Sequence, residues 1–168
     1  MKLFRNLLCA VTLAFACVSM AQAQSNELKF NSNHKFKIVQ FTDVHWKYGN
    51  PASDEAGKRM AEVLDAEKPD LVVFTGDVIF AKPAREGLDK ALEATIERGI
   101  PFAVTWGNHD DEQDLTREQL SAYIADKPKN LTSTVEGITG QTNYTLTIKS
   151  SDGKKDAAAL YIFDSNSY

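Results

Sequence analysis

Thiols are scarce in this chain. It holds two cysteines, Cys9 and Cys17, and both precede Ala23, so neither a disulfide framework nor Cys-ligated zinc is available to the rest of the sequence. Histidine is almost as rare, with three in 168 residues. The apolar stretch Leu7 to Val18 falls short of the ~20 residues a membrane-spanning helix needs, so no stable span is expected. Positive charge is also in deficit: 19 Lys and Arg face 23 Asp and Glu, a formal net charge of −4. That balance argues against general affinity for nucleic acid or an anionic membrane. No internal repeat and no low-complexity tract interrupts the pattern.

What is present begins with a leader. Lys2 and Arg5 form a basic start, Leu7 to Val18 an apolar core, and Ala21-Gln22-Ala23 a small-residue cleavage site. Residues 1–23 are therefore expected to be a signal peptide that sends the protein to the periplasm or the extracellular space. Residues 24–35 are polar and expected to be a linker. Residues 36–168 are expected to form one domain, with enough chain for a real core.

Within that domain Phe36 to Phe41 predicts a strand. A helix follows from about Ser53, with Ala56, Met60, Val63 and Leu64 on one stripe and Pro69 closing it. Leu71 to Thr75 is a short apolar run that suits a strand buried on both faces. Ala84 to Arg98 predicts a second helix, punctuated by Gly99, and Phe102 to Thr105 a third strand. Thr116 and Gln119 form a capping box for a third helix, with Leu115 and Leu120 as its staple. After Lys129 the pattern turns antiparallel: Tyr144 to Ile148 alternates, Ala157 to Phe163 is apolar, and Ser150 to Lys155 is the turn between them.

The informative residues stand where the first three strands stop. Asp43-Val44-His45 follows the first, Gly76-Asp77 the second, and Gly107-Asn108-His109-Asp110 the third. The separations match βαβ units of roughly 30 or more residues, and open α/β sheets collect ligands beyond the carboxyl ends of their parallel strands. Singly, Asp43, Asp77 and Asn108 would be ordinary turn or capping residues, and His109 a surface histidine. Together they supply carboxylates, an amide and imidazoles to one edge. If Asp43 and His45 lie on extended backbone, their i, i+2 spacing turns both toward one ion. His34, in the polar lead-in, carries no such context. Trp46 and Trp106 flank the motifs and are expected to pack in the core. Asp111, Glu112 and Asp114 suit the positive end of the third helix.

These motifs resemble the first three of the calcineurin-like metallophosphoesterases, from about Phe36 to Asp110. The resemblance implies an α/β fold of two stacked sheets flanked by helices, in α-β-β-α layers. It implies a hydrolase of phosphomonoesters or phosphodiesters that uses two divalent metal ions, drawn from Mn, Fe, Zn or Mg. Asp43 and His45 would bind the first metal, Asp77 would bridge both, and Asn108 would bind the second. His109 would contact the phosphate or protonate the leaving oxygen, with Asp110 orienting its ring. A small or lipid-like phosphoester is the implied substrate, with the bound cations countering its charge.

Two departures stand out. Phe80 lies three residues after Asp77, and His45 closes the first motif, whereas the related purple acid phosphatases differ at both places and carry a tyrosine ligand at the former. The family pattern also continues with a further histidine and a Gly-His-x-His motif, yet no histidine follows His109. The expectation is a domain incomplete at its carboxy-terminal end. A degenerate, exported metal- or ligand-binding module without turnover is the alternative.

Overall fold

The computed structural model describes residues 27–167, so the expected leader lies outside the described residues. Three parallel strands form the first sheet: β2 (Ile38–Phe41), β3 (Leu71–Thr75) and β4 (Phe102–Thr105), in the order β2-β3-β4. Two crossover helices join them, α1 (Pro51–Glu67) and α2 (Ala84–Glu97), and α3 (Arg117–Ala125) follows β4. A second sheet holds β1 (Leu28–Lys29), β5 (Tyr144–Lys149) and β6 (Asp156–Ile162), in the order β1-β5-β6.

Alternation along β3 and β4 decides what each face meets. Val72, Phe74, Phe102 and Val104 turn toward the helices and join Met60, Leu64, Leu88, Leu92, Leu120 and Ile124. Leu71, Val73 and Ala103 turn the other way and meet Leu28, Tyr144, Ile148 and Ile162 of the second sheet. Each large aliphatic side chain taken fully out of water contributes roughly 1.5–3 kcal/mol. The layers therefore run helices, sheet, sheet. Among the described residues no helix covers the far face of the second sheet. None of the helices there is long and apolar enough to cross a membrane.

The helix ends follow from local chemistry. Asn50 caps α1 by accepting from Ala52 N, and Pro51 occupies a first-turn position where its missing N–H costs nothing. The Thr116–Gln119 capping box forms as the sequence predicts. Pro83 gives α2 no side-chain cap, and Asp114 supplies one from a distant loop by accepting from Ala84 N at 2.9 Å.

One segment differs from expectation. Leu28 and Lys29 fall inside the stretch read as linker, yet they pair in parallel with Ile148 and Lys149, and Leu28 is buried in the second core. A two-residue strand has too short an alternation to stand out in a polar sequence.

Candidate metal centre

The carboxyl ends of β2, β3 and β4 open onto a cleft of about 460 Å³. Asp43, Asp77 and Asn108 line it. After the strands end, the first two motif loops stay zipped together: Asp43 N donates to Gly76 O (3.1 Å), His45 N to Asp77 O (2.8 Å), and Trp46 N to Val78 O (2.9 Å). These bonds fix His45 beside Asp77. Its Nε2 lies 3.1 Å from Asp77 Oδ2, while Asp77 Oδ1 accepts from His109 N at 3.0 Å. One ligand-type atom from each of His45, Asp77 and His109 lies within 4.8 Å of the others. Two imidazoles and a carboxylate at that spacing, with no thiolate, suit a hard or borderline divalent cation.

The backbone there is not extended. Asp43, His45 and Asp77 have φ of 53°, 47° and 51°, the left-handed region that non-glycine residues seldom enter. The i, i+2 strand argument for Asp43 and His45 is therefore replaced by a different geometry, two left-handed residues in a loop that hydrogen bonds hold in place. Strain at three successive motif positions is the kind that accumulates at functional sites.

Space between the second and third motifs is tighter still. A Cβ on Gly107 would stand 2.2 Å from Asp77 Oδ1 and 2.4 Å from Asp77 N, and one on Gly76 would stand 2.9 Å from Gly107 Cα.

Asp110 does something other than the role expected of it. Its side chain is fully buried, with Oδ1 accepting from Val78 N (2.7 Å) and Ile79 N (3.0 Å) and Oδ2 from Gly107 N (2.7 Å). It ties the second motif loop to the third and does not orient the His109 ring. Burial pushes its carboxyl up to about 6, against the pull of those three hydrogen bonds.

Glu112 takes the ring-facing place. Its Oε2 lies 2.8 Å from His109 Nδ1, although off the direction of a well-formed hydrogen bond. That carboxylate holds His109 above the ordinary histidine range, in spite of desolvation. Burial alone would raise Asp77, but the His109 N–H and the His45 ring outweigh it and leave the carboxyl below its usual value.

The other flanking residues divide. Trp46 and Trp106 are buried, and Trp106 Nε1 donates to Ser121 Oγ, so both pack as expected. The acidic trio is not a simple helix-end cluster, since Asp111 faces Arg117, Glu112 faces His109, and Asp114 caps α2. Phe80 lies against both imidazoles, with centroids 5.3 Å from His45 and 5.0 Å from His109.

The sequence reading missed the far wall of the cleft. Tyr161, Ile162, Phe163 and Ser165, at the end of β6, complete the lining. It also missed Arg117 and Asp164, a buried ion pair at 2.7 Å. Burial raises the Asp164 carboxyl, but donors from Gln141 N, Asn166 N and Arg117 more than reverse this, leaving it below the ordinary range. Its stabilisation is thus complete above the unfolded value, about 3.9, and is lost as pH falls through the lower folded value. An acid titration of melting temperature should show that loss, and Asp164→Asn should flatten it. An unchanged acid limb in the variant would remove Asp164 from the account.

A family model described as calcineurin-like phosphoesterase matches residues 36–159. The chain belongs to that family. It is 35% identical to the probable inactive purple acid phosphatase 29 of Arabidopsis thaliana, across 99% of this chain and 51% of that protein. To phosphatase DCR2 of Saccharomyces cerevisiae it is 36% identical, across 94% of this chain and 31% of that one. A more distant relative is the UDP-2,3-diacylglucosamine pyrophosphatase LpxG of Chlamydia trachomatis, 29% identical over 54% of this chain. The chain spans about half the length of the plant relative and under a third of the yeast one. The family is one of phosphoester hydrolases that typically bind divalent metals.

Proposed function

We propose that this calcineurin-like phosphoesterase hydrolyses phosphomonoesters or phosphodiesters at a dinuclear divalent-metal centre held by Asp43, His45, Asp77 and Asn108. The placement of Asp77 beside His45, in a cleft that Asp43 and Asn108 also line at the carboxyl edge of a parallel sheet, carries the reading. Bound cations would supply Lewis acidity toward the phosphoryl oxygens and ease deprotonation of a water.

The chain's own groups do the rest. Asp77 has one carboxylate oxygen turned to His45 and the other tied to the His109 backbone, so its position is set before any ligand arrives. His109 has Nδ1 beside Glu112, which leaves Nε2 to hand a proton to the leaving oxygen. The fully engaged Asp110 keeps the two motif loops in register.

Tyr161 and Phe163 support an apolar, lipid-like substituent on the phosphoester. Their rings stack at 6.4 Å, 10° from parallel, and both line the cleft while 67% and 74% exposed. The basic start, apolar core and Ala21-Gln22-Ala23 site support export to the periplasm or the extracellular space.

A non-catalytic, metal-binding module is the second reading. The name of the plant relative, probable inactive purple acid phosphatase 29, favours it. Calorimetry with Mn²⁺ and p-nitrophenyl phosphate hydrolysis separate the two. The expected result is saturable but weak Mn²⁺ binding with slow, metal-dependent turnover. Binding without turnover supports the module, and no binding overturns both.

Phe80 adds a spectroscopic test. It has no oxygen to offer a metal, so iron loading should give no tyrosinate charge-transfer band in the visible spectrum. A purple iron-loaded protein would contradict the ligand set.

A further inference from the structure

We infer that Arg117 is a positioning residue of the metal centre, one that with Asp164 and Thr142 fixes the peptide carrying Asn108 and His109. The inference rests on the metal-centre reading above and concerns how its third motif is held.

β4 ends at Thr105, and the next two residues leave the sheet ladder before Asn108 begins. Their backbone polar groups lie in a mostly buried setting and need partners. Side chains provide all four. Trp106 N donates to Thr142 Oγ1 at 3.1 Å, and Gly107 N donates to Asp110 Oδ2 at 2.7 Å. The carbonyl oxygens accept from the Arg117 fork: Trp106 O from Nη1 at 3.4 Å and Gly107 O from Nη2 at 2.6 Å.

The fork is itself anchored. Arg117 Nη1 also donates to Asp164 Oδ1 at 2.7 Å, and Asp164 Oδ2 accepts from the Thr142 hydroxyl at 3.2 Å. Asp164 thus reaches the 106–107 peptide by two routes, one through the guanidinium to its carbonyls and one through the hydroxyl to its N–H.

Helix formation does not explain Arg117. It is the first residue of α3, where the helix dipole disfavours a cation, and its side chain is buried. Its contacts lie on the loop that precedes Asn108 and on the end of β6. A planar fork reaches two carbonyls and a carboxylate from two nitrogens held rigidly apart, whereas an ammonium group offers its three donors from a single point on a flexible stem. The loop has little freedom in the other direction, since Gly107 already abuts Asp77. Arg117 on one side and Asp77 on the other therefore set where Asn108 and His109 stand.

The test is amide hydrogen exchange by NMR on the metal-free chain, alongside Mn²⁺ binding followed by electron paramagnetic resonance. Arg117→Lys keeps the charge and removes the fork. Thr142→Val keeps the shape and removes the hydroxyl, so it carries the test if the first variant does not fold. In each, the Gly107 and His109 amides should exchange at least tenfold faster while Val72 and Phe74 in β3 stay as protected as before. Mn²⁺ affinity should fall at least tenfold. Unchanged His109 protection, or protection lost equally at all four amides, overturns the inference, because a merely structural bridge would loosen the whole domain. If His109 protection falls selectively but the unaltered chain binds no Mn²⁺, the positioning role stands and the metal-centre reading fails.

Discussion

Replacing Asp77 with Asn should lower divalent-cation affinity at least 100-fold and leave the fold in place. The amide keeps an oxygen that can accept from His109 N, now 3.0 Å from Oδ1, and its NH₂ can face the His45 Nε2 that lies 3.1 Å from Oδ2. Packing is conserved, because the two side chains are isosteric. What disappears is a negative charge, 8% exposed, between two imidazoles. Neutral imidazoles and an amide offer a cation dipoles but no net charge, and low local dielectric makes that difference large. Stability should move by less than about 1 kcal/mol, since the amide keeps both of the contacts that hold the carboxylate in place. Calorimetry with Mn²⁺ and a melt in chelator measure the two effects separately. Affinity within threefold of the unaltered chain would mean that Asp77 does not bridge metals. A collapse in melting temperature without metal would recast it as a structural residue.

The motif positions were legible because their surroundings were. Val72, Val73, Phe74, Ala103 and Val104 are buried on both faces of a parallel sheet, so they read as unbroken apolar runs, and a motif follows the end of each run. α3 was legible through Thr116 and Gln119, whose reciprocal bonds are local and encoded three residues apart. β1 was not, because its partner is more than a hundred residues away and its length gives alternation no room.

The roles inside the site were harder to read, for one physical reason. Asp110 and Glu112 are both acids beside His109, and sequence distance favours the nearer. Backbone geometry reverses the choice, because three N–H groups from two loops point into the space that Asp110 fills, and Glu112 is left to meet the ring. Asp164 and Arg117 sit 47 residues apart, and neither belongs to a motif. A signal did exist: a basic residue opening a helix is electrostatically misplaced and implies an acid elsewhere. Nothing local in the sequence says which acid. At Asp43 and His45 the expected extended backbone is what fails, since the strand stops at Phe41 and the loop turns left-handed.

Gly107→Ala should be the most damaging single methyl group in this domain, at about 2–4 kcal/mol, or roughly 10 °C in melting temperature. Gly107 does not have the positive φ of the neighbouring Gly76, so conformational freedom is not what the position requires. Space is. The added carbon would lie 2.2 Å from Asp77 Oδ1 and 2.4 Å from its backbone N, and the second of these cannot swing aside. Relief requires the two motif loops to part, which stretches the Gly107 N–Asp110 and His109 N–Asp77 hydrogen bonds. Metal affinity should fall with stability, because parting moves Asn108 and His109 away from Asp77 and His45. Gly99→Ala is the control: it meets nothing within 4 Å, and its φ of 62° limits the cost to strain of about 1 kcal/mol. Thermal melts of both variants, with Mn²⁺ titrations on whatever remains folded, decide the matter. Equal losses for the two alanines would show that the loops are not in the close contact on which the shared position of the motifs depends.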